Sequence, residues 1–149
     1  MFDAVAHLTR QHAHCDHAFL AVEKAVQTKD WDKVDILFNE ARSALLGHLQ
    51  LEEQTLFPAF EQATGIVGGP TAVMCAEHEA MRDILVNCDS LRGARDARGL
   101  MAELDTLFVL VQQHNVKEEN VLYPMCALHV KALEQLLSKA QGAKDCVGV

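Results

Sequence analysis

The chain has 149 residues, half of them hydrophobic, which is enough for one domain with a sizeable core and too little for two. Thirteen Lys and Arg against 21 Asp and Glu leave a net charge of −8, and no basic cluster relieves it, so nucleic acid and anionic membrane surfaces are poor partners. The longest unbroken aliphatic and aromatic stretch, Leu107 to Val111, is far short of the roughly 20 residues that span a bilayer.

Only three prolines and eight glycines punctuate the chain, and no stretch alternates like a half-buried strand, so the expectation is helix throughout. Read at steps of three and four, helix 1 carries Val5, Leu8, His12, Cys15, Phe19, Val22 and Val26 on one face and ends near Gln27 to Lys29. Helix 2 starts at Asp30 or Asp32 as N-cap and carries Val34, Phe38, Ala41, Leu45, His48, Glu52, Thr55 and Ala59. A breaker-rich linker, Thr64 to Gly69, precedes Pro70, which suits a first helical turn. Helix 3 carries Met74, His78, Met81, Leu85 and Cys88 and stops in the Gly93 to Gly99 region. Helix 4 runs through Leu100, Leu104, Leu107, Val111, His114, Glu118, Val121, Met125 and Leu128, with a kink or break expected at Pro124. A shorter helix from about Leu128 to Ala140 carries Leu133, Leu136 and Leu137, and residues 141–149 are expected to be a flexible tail. Four long amphipathic helices joined by short turns predict an all-α, antiparallel up-down four-helix bundle with a short C-terminal helix, one domain over residues 1–149.

Five cysteines, Cys15, Cys75, Cys88, Cys126 and Cys146, are odd in number and lack a CxxC spacing. They are expected to be reduced thiols. The N-terminus, broken by Asp3, His7 and Arg10, does not resemble a signal peptide, and a soluble, cytoplasmic protein is expected.

The second half repeats the first. His48-x3-Glu52-Glu53-x2-Leu56-Phe57-Pro58 returns as His114-x3-Glu118-Glu119-x2-Leu122-Tyr123-Pro124, and 36 residues separate both His12 from His48 and His78 from His114. Residues four apart rise about 6 Å along a helix and stay within about 40° of one face, so His48 projects with Glu52 and His114 with Glu118. Antiparallel register about turns near residues 29 and 96 sets His12 level with His48 and His78 level with His114. Six such groups in an apolar interior demand a counter-charge. Two carboxylates and four imidazoles suit a pair of borderline dications, iron first, with manganese or zinc as alternatives, and carboxylates can bridge ions about 3.5 to 4 Å apart. The ferritin-like arrangement needs Glu-x-x-His, and no Glu here has a His three residues later.

These segments, HLQLEEQTLFP, EHEAM and HNVKEENVLYP, resemble the hemerythrin or HHE cation-binding family over about Val5 to Leu128. The resemblance implies a non-heme di-iron centre, oxo- or hydroxo-bridged, with His12, His48, His78 and His114 as terminal ligands and Glu52 and Glu118 as bridges. It also implies O2, peroxide or nitric oxide as small ligand, in a carrier, a peroxide-detoxifying enzyme, or a sensor or iron-handling protein. The oxygen-carrying members have a fifth histidine, from His-x3-His on helix 3, and His-x4-Asp on helix 4. Here Met74 stands four residues before His78 and helix 4 carries His-x3-Glu. That departure leaves open positions on both ions and points toward peroxide, nitric oxide or iron handling, with reversible O2 binding still among the readings.

Around this core, His14 and His17 lie about 200° and 140° from His12 and are read as solvated, His14 being the substitute ligand if helix 1 shifts register. His7 and His129 are read as surface residues, as are Glu77 and Glu79, with a hydrogen bond from a ligand imidazole as the second reading for those two glutamates; Glu53 and Glu119, about 140° from their histidines, are read as a solvated face or a helix-to-helix polar contact. Tyr123 stands in the place of Phe57 and is read as packing, with donation to a bound oxygen species as the second reading. Cys15 and Met81 should line the pocket, the thiol open to oxidation there, and Leu8, Phe19, Leu45, Met74, Met81, Leu85, Leu107 and Val111 should restrict solvent.

Overall fold

The computed structural model describes the backbone of residues 3–147 and the side chains of residues 3–141. Among them there is helix and no strand. The elements are α1 (Ala4–Gln27), α2 (Trp31–Leu51), a π-helical turn (Glu52–Leu56), α3 (Phe57–Thr64), α4 (Pro70–Gly93), α5 (Ala97–Lys117), a second π-helical turn (Glu118–Leu122), α6 (Tyr123–His129) and α7 (Leu133–Val147).

Local chemistry sets the helix ends. Asp3, Asp30 and Asp96 each accept from a backbone N–H three residues on, at 3.0, 3.3 and 2.9 Å, so Asp30 rather than Asp32 caps α2. The two tight reversals are copies of each other: Lys29 and Arg95 both take left-handed backbone, φ 56° and 57°, immediately before the capping aspartate. α1 packs on α2 and α5, and α4 packs on α5 and α2, in one helical bundle.

The prolines are accommodated differently from expectation. The helix neither breaks nor ends at Pro124; it continues as α6, and the same happens at Pro58 in α3. A proline offers no N–H to the preceding turn and crowds its carbonyl, and here that turn is widened to i→i+5 bonding: the Phe57 N–H reaches the Glu52 carbonyl, and the Tyr123 N–H reaches Glu118. Each widened turn takes in one extra residue, so the inward stripe shifts by one position. Val121 and Leu128, expected in the core, are exposed at 53% and 79%, while Leu122, Tyr123 and Cys126 are buried; in the first half Leu56, Phe57 and Phe60 are buried where Thr55 and Ala59 were expected. The last helix also differs. Val130 is extended and Ala132 left-handed, so α7 begins at Leu133 rather than Leu128 and runs past Ala140 to Val147, burying Leu133 and Leu137. The tail expected over 141–149 falls almost wholly outside the described side chains, as does Cys146. Cys75, Cys88 and Cys126 are free thiols.

The core is two apolar clusters with a polar layer between them. One lies toward the reversals and holds Val22, Val34, Phe38, Leu85 and Leu100. The other holds Leu8, Leu56, Phe57, Met74, Leu122 and Leu137. No helix of the described residues is long and apolar enough to cross a membrane.

Candidate metal centre

Between the clusters, α1 contributes His12, α2 His48 with Glu52 at the start of its π turn, α4 His78, and α5 His114 with Glu118 at the start of the other π turn. All six are buried, and Glu52, His78 and Glu118 have no exposed surface. They form two groups that share both carboxylates, His12/His48/Glu52/Glu118 and Glu52/His78/His114/Glu118, and within each group one ligand-type atom per residue lies within 4.8 Å of the others. Glu52 spans the two groups, Oε2 lying 3.5 Å from His48 Nε2 and Oε1 3.1 Å from His78 Nε2. Glu118 Oε1 spans them again, 3.1 Å from His12 Nε2 and 3.2 Å from His114 Nε2.

The outer face of each imidazole fixes what the inner face can do. His12 Nδ1 meets Glu119 at 3.2 Å, His48 Nδ1 meets Gln11 Oε1 at 2.6 Å, His78 Nδ1 meets Glu53 at 2.8 Å and His114 Nδ1 meets Glu77 at 2.8 Å. Carboxylates and the amide oxygen only accept, so each Nδ1 carries the proton and each Nε2 of a neutral ring points a lone pair inward. Four lone pairs then converge with two carboxylates. His12 Nε2 and His48 Nε2 stand 3.1 Å apart, and Glu52 Oε1, His78 Nε2, His114 Nε2 and Glu118 Oε2 have no hydrogen-bond partner at all. Acceptors facing acceptors in a buried layer repel unless a cation lies among them, and nitrogen and carboxylate donors in this ratio fit a first-row dication.

The titration behaviour carries the same sign. Burial alone would lower the His12 and His114 imidazoles, but hydrogen bonds and charge from Glu118, with Glu119 and Glu77 behind them, outweigh it and raise both. Burial would raise the Glu52 carboxyl, yet the surrounding His48 and His78 and its contact with Glu118 hold it well below the usual range. The layer favours positive charge.

Tyr123 reaches the site rather than packing away from it. Its hydroxyl lies 2.6 Å from Glu52 Oε2, 3.0 Å from Glu118 Oε1, 3.0 Å from His12 Nε2 and 3.3 Å from His48 Nε2, one proton among four acceptors. Burial and the two carboxylates push its phenol well above the usual value, so the proton stays on the oxygen. In an α-helix residues five apart diverge by about 140°; the i→i+5 turn is what sets Tyr123 over Glu118.

Glu53 and Glu119, read from the sequence as a solvated face or a helix-to-helix polar contact, make that contact as the outer acceptors of His78 and His12, and Glu77, for which surface was the first reading and an imidazole hydrogen bond the second, accepts from His114. Arg82 clamps Glu53 at 2.6 and 2.9 Å, and Lys117 pairs with Glu77. The signal for Glu53 and Glu119 was the Glu doublet repeated after each His-x3. Glu79 is exposed and pairs with Arg82 at 2.6 Å, and His14, His17 and His129 are exposed. His7 is half-buried, with its Nε2 3.1 Å from Gln11.

A narrow cavity at the layer is lined by His12, His48 and His114 with Cys15, Leu45, Met81, Val111 and the buried, unforeseen Asn115. Cys15, Leu45 and Val111 are shared with a larger apolar cavity of about 270 Å³, walled further by Phe19, Leu104, Leu107 and Phe108. Met74, at the place of the fifth histidine of oxygen carriers, is buried in the apolar cluster beyond the layer.

A helical bundle with buried His and Glu clusters able to hold cations defines the class. The model of the hemerythrin HHE cation-binding domain matches residues 3–126, most of the chain, and the protein belongs to that family. No curated protein and no solved structure matches it.

Proposed function

We propose that His12, His48, Glu52, His78, His114 and Glu118 bind two metal ions, iron before manganese or zinc, in an antiparallel up-down four-helix bundle forming one domain. The protein so loaded binds a small ligand, O2 or a related species such as peroxide or nitric oxide. The observation that carries this reading is the convergence of four inward imidazole lone pairs and two fully buried carboxylates with orphaned atoms among them. Glu52 and Glu118, each reaching into both groups, are the bridging residues.

An iron pair would supply reversible electron exchange with a bound oxygen or nitrogen-oxide ligand. The chain's own groups do the rest. The outer acceptors hold every ring in the tautomer that offers Nε2. The Tyr123 hydroxyl is stationed to donate a hydrogen bond at the His12/His48 side. The adjoining cavity, mostly apolar with Asp16, His17 and Glu23 also on its wall, has room for small molecules. With Met74 in place of a fifth histidine, the chain would offer the ions one nitrogen donor fewer than an oxygen carrier does, which favours peroxide and nitric oxide over simple O2 carriage. The free thiols of Cys75, Cys88 and Cys126 are in keeping with a reducing, cytoplasmic setting.

Tyr123 supports a second reading, a peroxide-detoxifying enzyme, because a donor beside the ligand position can assist cleavage as well as stabilise binding. Metal content and the optical spectrum of the reduced protein, before and after air and then peroxide, separate the two. About two irons per chain with a persistent ligand spectrum supports binding, and rapid loss of peroxide with iron retained supports turnover. A folded protein with a single zinc, or with no affinity for metal, overturns the proposal.

A further inference from the structure

A shift of 66 residues carries the first half of the chain onto the second: His12 onto His78, His48 onto His114, Glu52 onto Glu118, Lys29 onto Arg95. Contacts follow the same operation. Tyr123 stacks on His12 with ring centres 5.5 Å apart and 24° between planes, and Phe57 stacks on His78 at 5.7 Å and 22°. Against so exact a repeat, the departures around the imidazoles fall on one side. The residue that accepts from His114 is Glu77; its counterpart, accepting from His48, is the neutral Gln11. Glu53, which accepts from His78, is clamped by Arg82; the counterpart of Arg82 is Asp16, so Glu119 has no such clamp behind His12. Lys117, which holds Glu77, has Leu51 as counterpart. Glu119 is correspondingly the looser acceptor, with its side chain 35% exposed against 24% for Glu53 and 20% for Glu77 and a longer contact to its imidazole, 3.2 Å against 2.8 Å. Tyr123 adds a proton to the His12/His48 side, where Phe57 offers none to the other.

Resting on the reading of a two-ion centre, we propose that the two positions are inequivalent: His78 and His114 form the tight position, filled first, and His12 and His48 the weaker, exchangeable one, with Gln11 the residue that sets the difference. A carboxylate behind a ligand imidazole makes the inner nitrogen a stronger donor and fixes its orientation. The His78/His114 side has two such carboxylates, both braced. Arg82 and Lys117 take up part of that negative charge, but they also hold the carboxylates in place, so little side-chain freedom is left to lose when an ion arrives. The His12/His48 side has one unbraced carboxylate and one amide, and a phenolic proton that must turn away from the inner acceptors before an ion can use them. Both of its imidazoles line the narrow cavity, where the other side contributes His114 alone, and that cavity shares Cys15, Leu45 and Val111 with the larger apolar one. The exchangeable position is therefore the one with both imidazoles on the cavity wall.

The test is titration of the metal-free full-length chain with Co(II), followed by visible absorbance and by metal retained after equilibrium dialysis. Two binding steps separated by at least tenfold in affinity are expected. Replacing an outer acceptor typically shifts metal affinity by about tenfold to hundredfold, so Gln11→Glu should strengthen the second step and draw the two together, while Glu77→Gln should weaken the first and leave the second. Two ions bound with equal affinity, or Glu77→Gln acting on the weaker step, overturns the inequivalence and leaves the two-ion centre standing. Failure of the folded wild-type chain to bind any Co(II) overturns the two-ion centre itself.

Discussion

The polar layer and the apolar end beyond it are built on the same four long helices and obey opposite rules. Val22, Val34, Phe38 and Leu100 are buried among apolar neighbours and want nothing else; cohesion there is complete within the protein. About three to four helical turns away, His12, His48, His78 and His114 are held by acceptors at their Nδ1 atoms and turn their Nε2 atoms toward two buried carboxylates, those of His78 and His114 with no hydrogen-bond partner. That layer is complete only with something positive in it. The apolar end supplies the stability that lets a few residues be arranged against their own interest.

The largest effect should come from breaking the cohesive end. Phe38 is fully buried, with Arg42 and Arg92 over its ring at 5.2 and 5.6 Å, so Phe38→Ala should lower unfolding free energy by about 3 to 5 kcal/mol. Denaturant titration reads the loss, and the metal-to-protein ratio of the folded fraction should be unchanged. Stripping metal should do the reverse, touching only the layer. At free metal about 100-fold above the dissociation constant, the bound state is stabilised by about 2.7 kcal/mol, so chelation should lower the unfolding midpoint and added metal restore it; a midpoint indifferent to metal would erase the contrast between the two regions.

Tyr123→Phe sharpens the comparison. Without metal the hydroxyl is the one donor among four acceptors, and its removal should cost about 1 to 3 kcal/mol. With metal in place those acceptors are engaged elsewhere, and the same substitution should cost measurably less. Equal losses in the two states would mean that Tyr123 packs and does no more.

The smallest expected effect lies on the outside of the apolar end, where Arg92 and Arg95 hydrogen-bond Asp35 at 2.6 to 3.0 Å and hold its carboxyl down at about 2, against an ordinary 3.8. A carboxyl depressed on folding stabilises above its unfolded value and loses that contribution as pH falls toward its folded one. Asp35→Asn should therefore be slightly less stable than wild type at neutral pH. The gap should close between about pH 4 and pH 2 in urea midpoints measured across that range.

The six clustered residues were legible in the sequence because His48–Glu52 and His114–Glu118 end the regular α-helical register, where four-residue spacing holds. Past them the π turns add a residue each, and the reading slipped: Val121 and Leu128 moved out, Leu122 and Cys126 moved in, and Tyr123 came round onto the centre. The outer acceptors could not be matched to their imidazoles for another reason. A helical wheel places Glu53 away from its own His48, but it says nothing of His78 on the neighbouring helix, and Glu53 belongs to that one. Gln11 gave no sign of its role until its counterpart Glu77 was seen in the same place.

The most direct measurement is anomalous diffraction at the iron edge from crystals of the iron-loaded chain. Two peaks about 3.5 to 4 Å apart, each within bonding distance of two histidines and flanked by Glu52 and Glu118, are the predicted result. A single peak away from the two carboxylates, or none, with the imidazoles hydrogen-bonded to water instead, would contradict it.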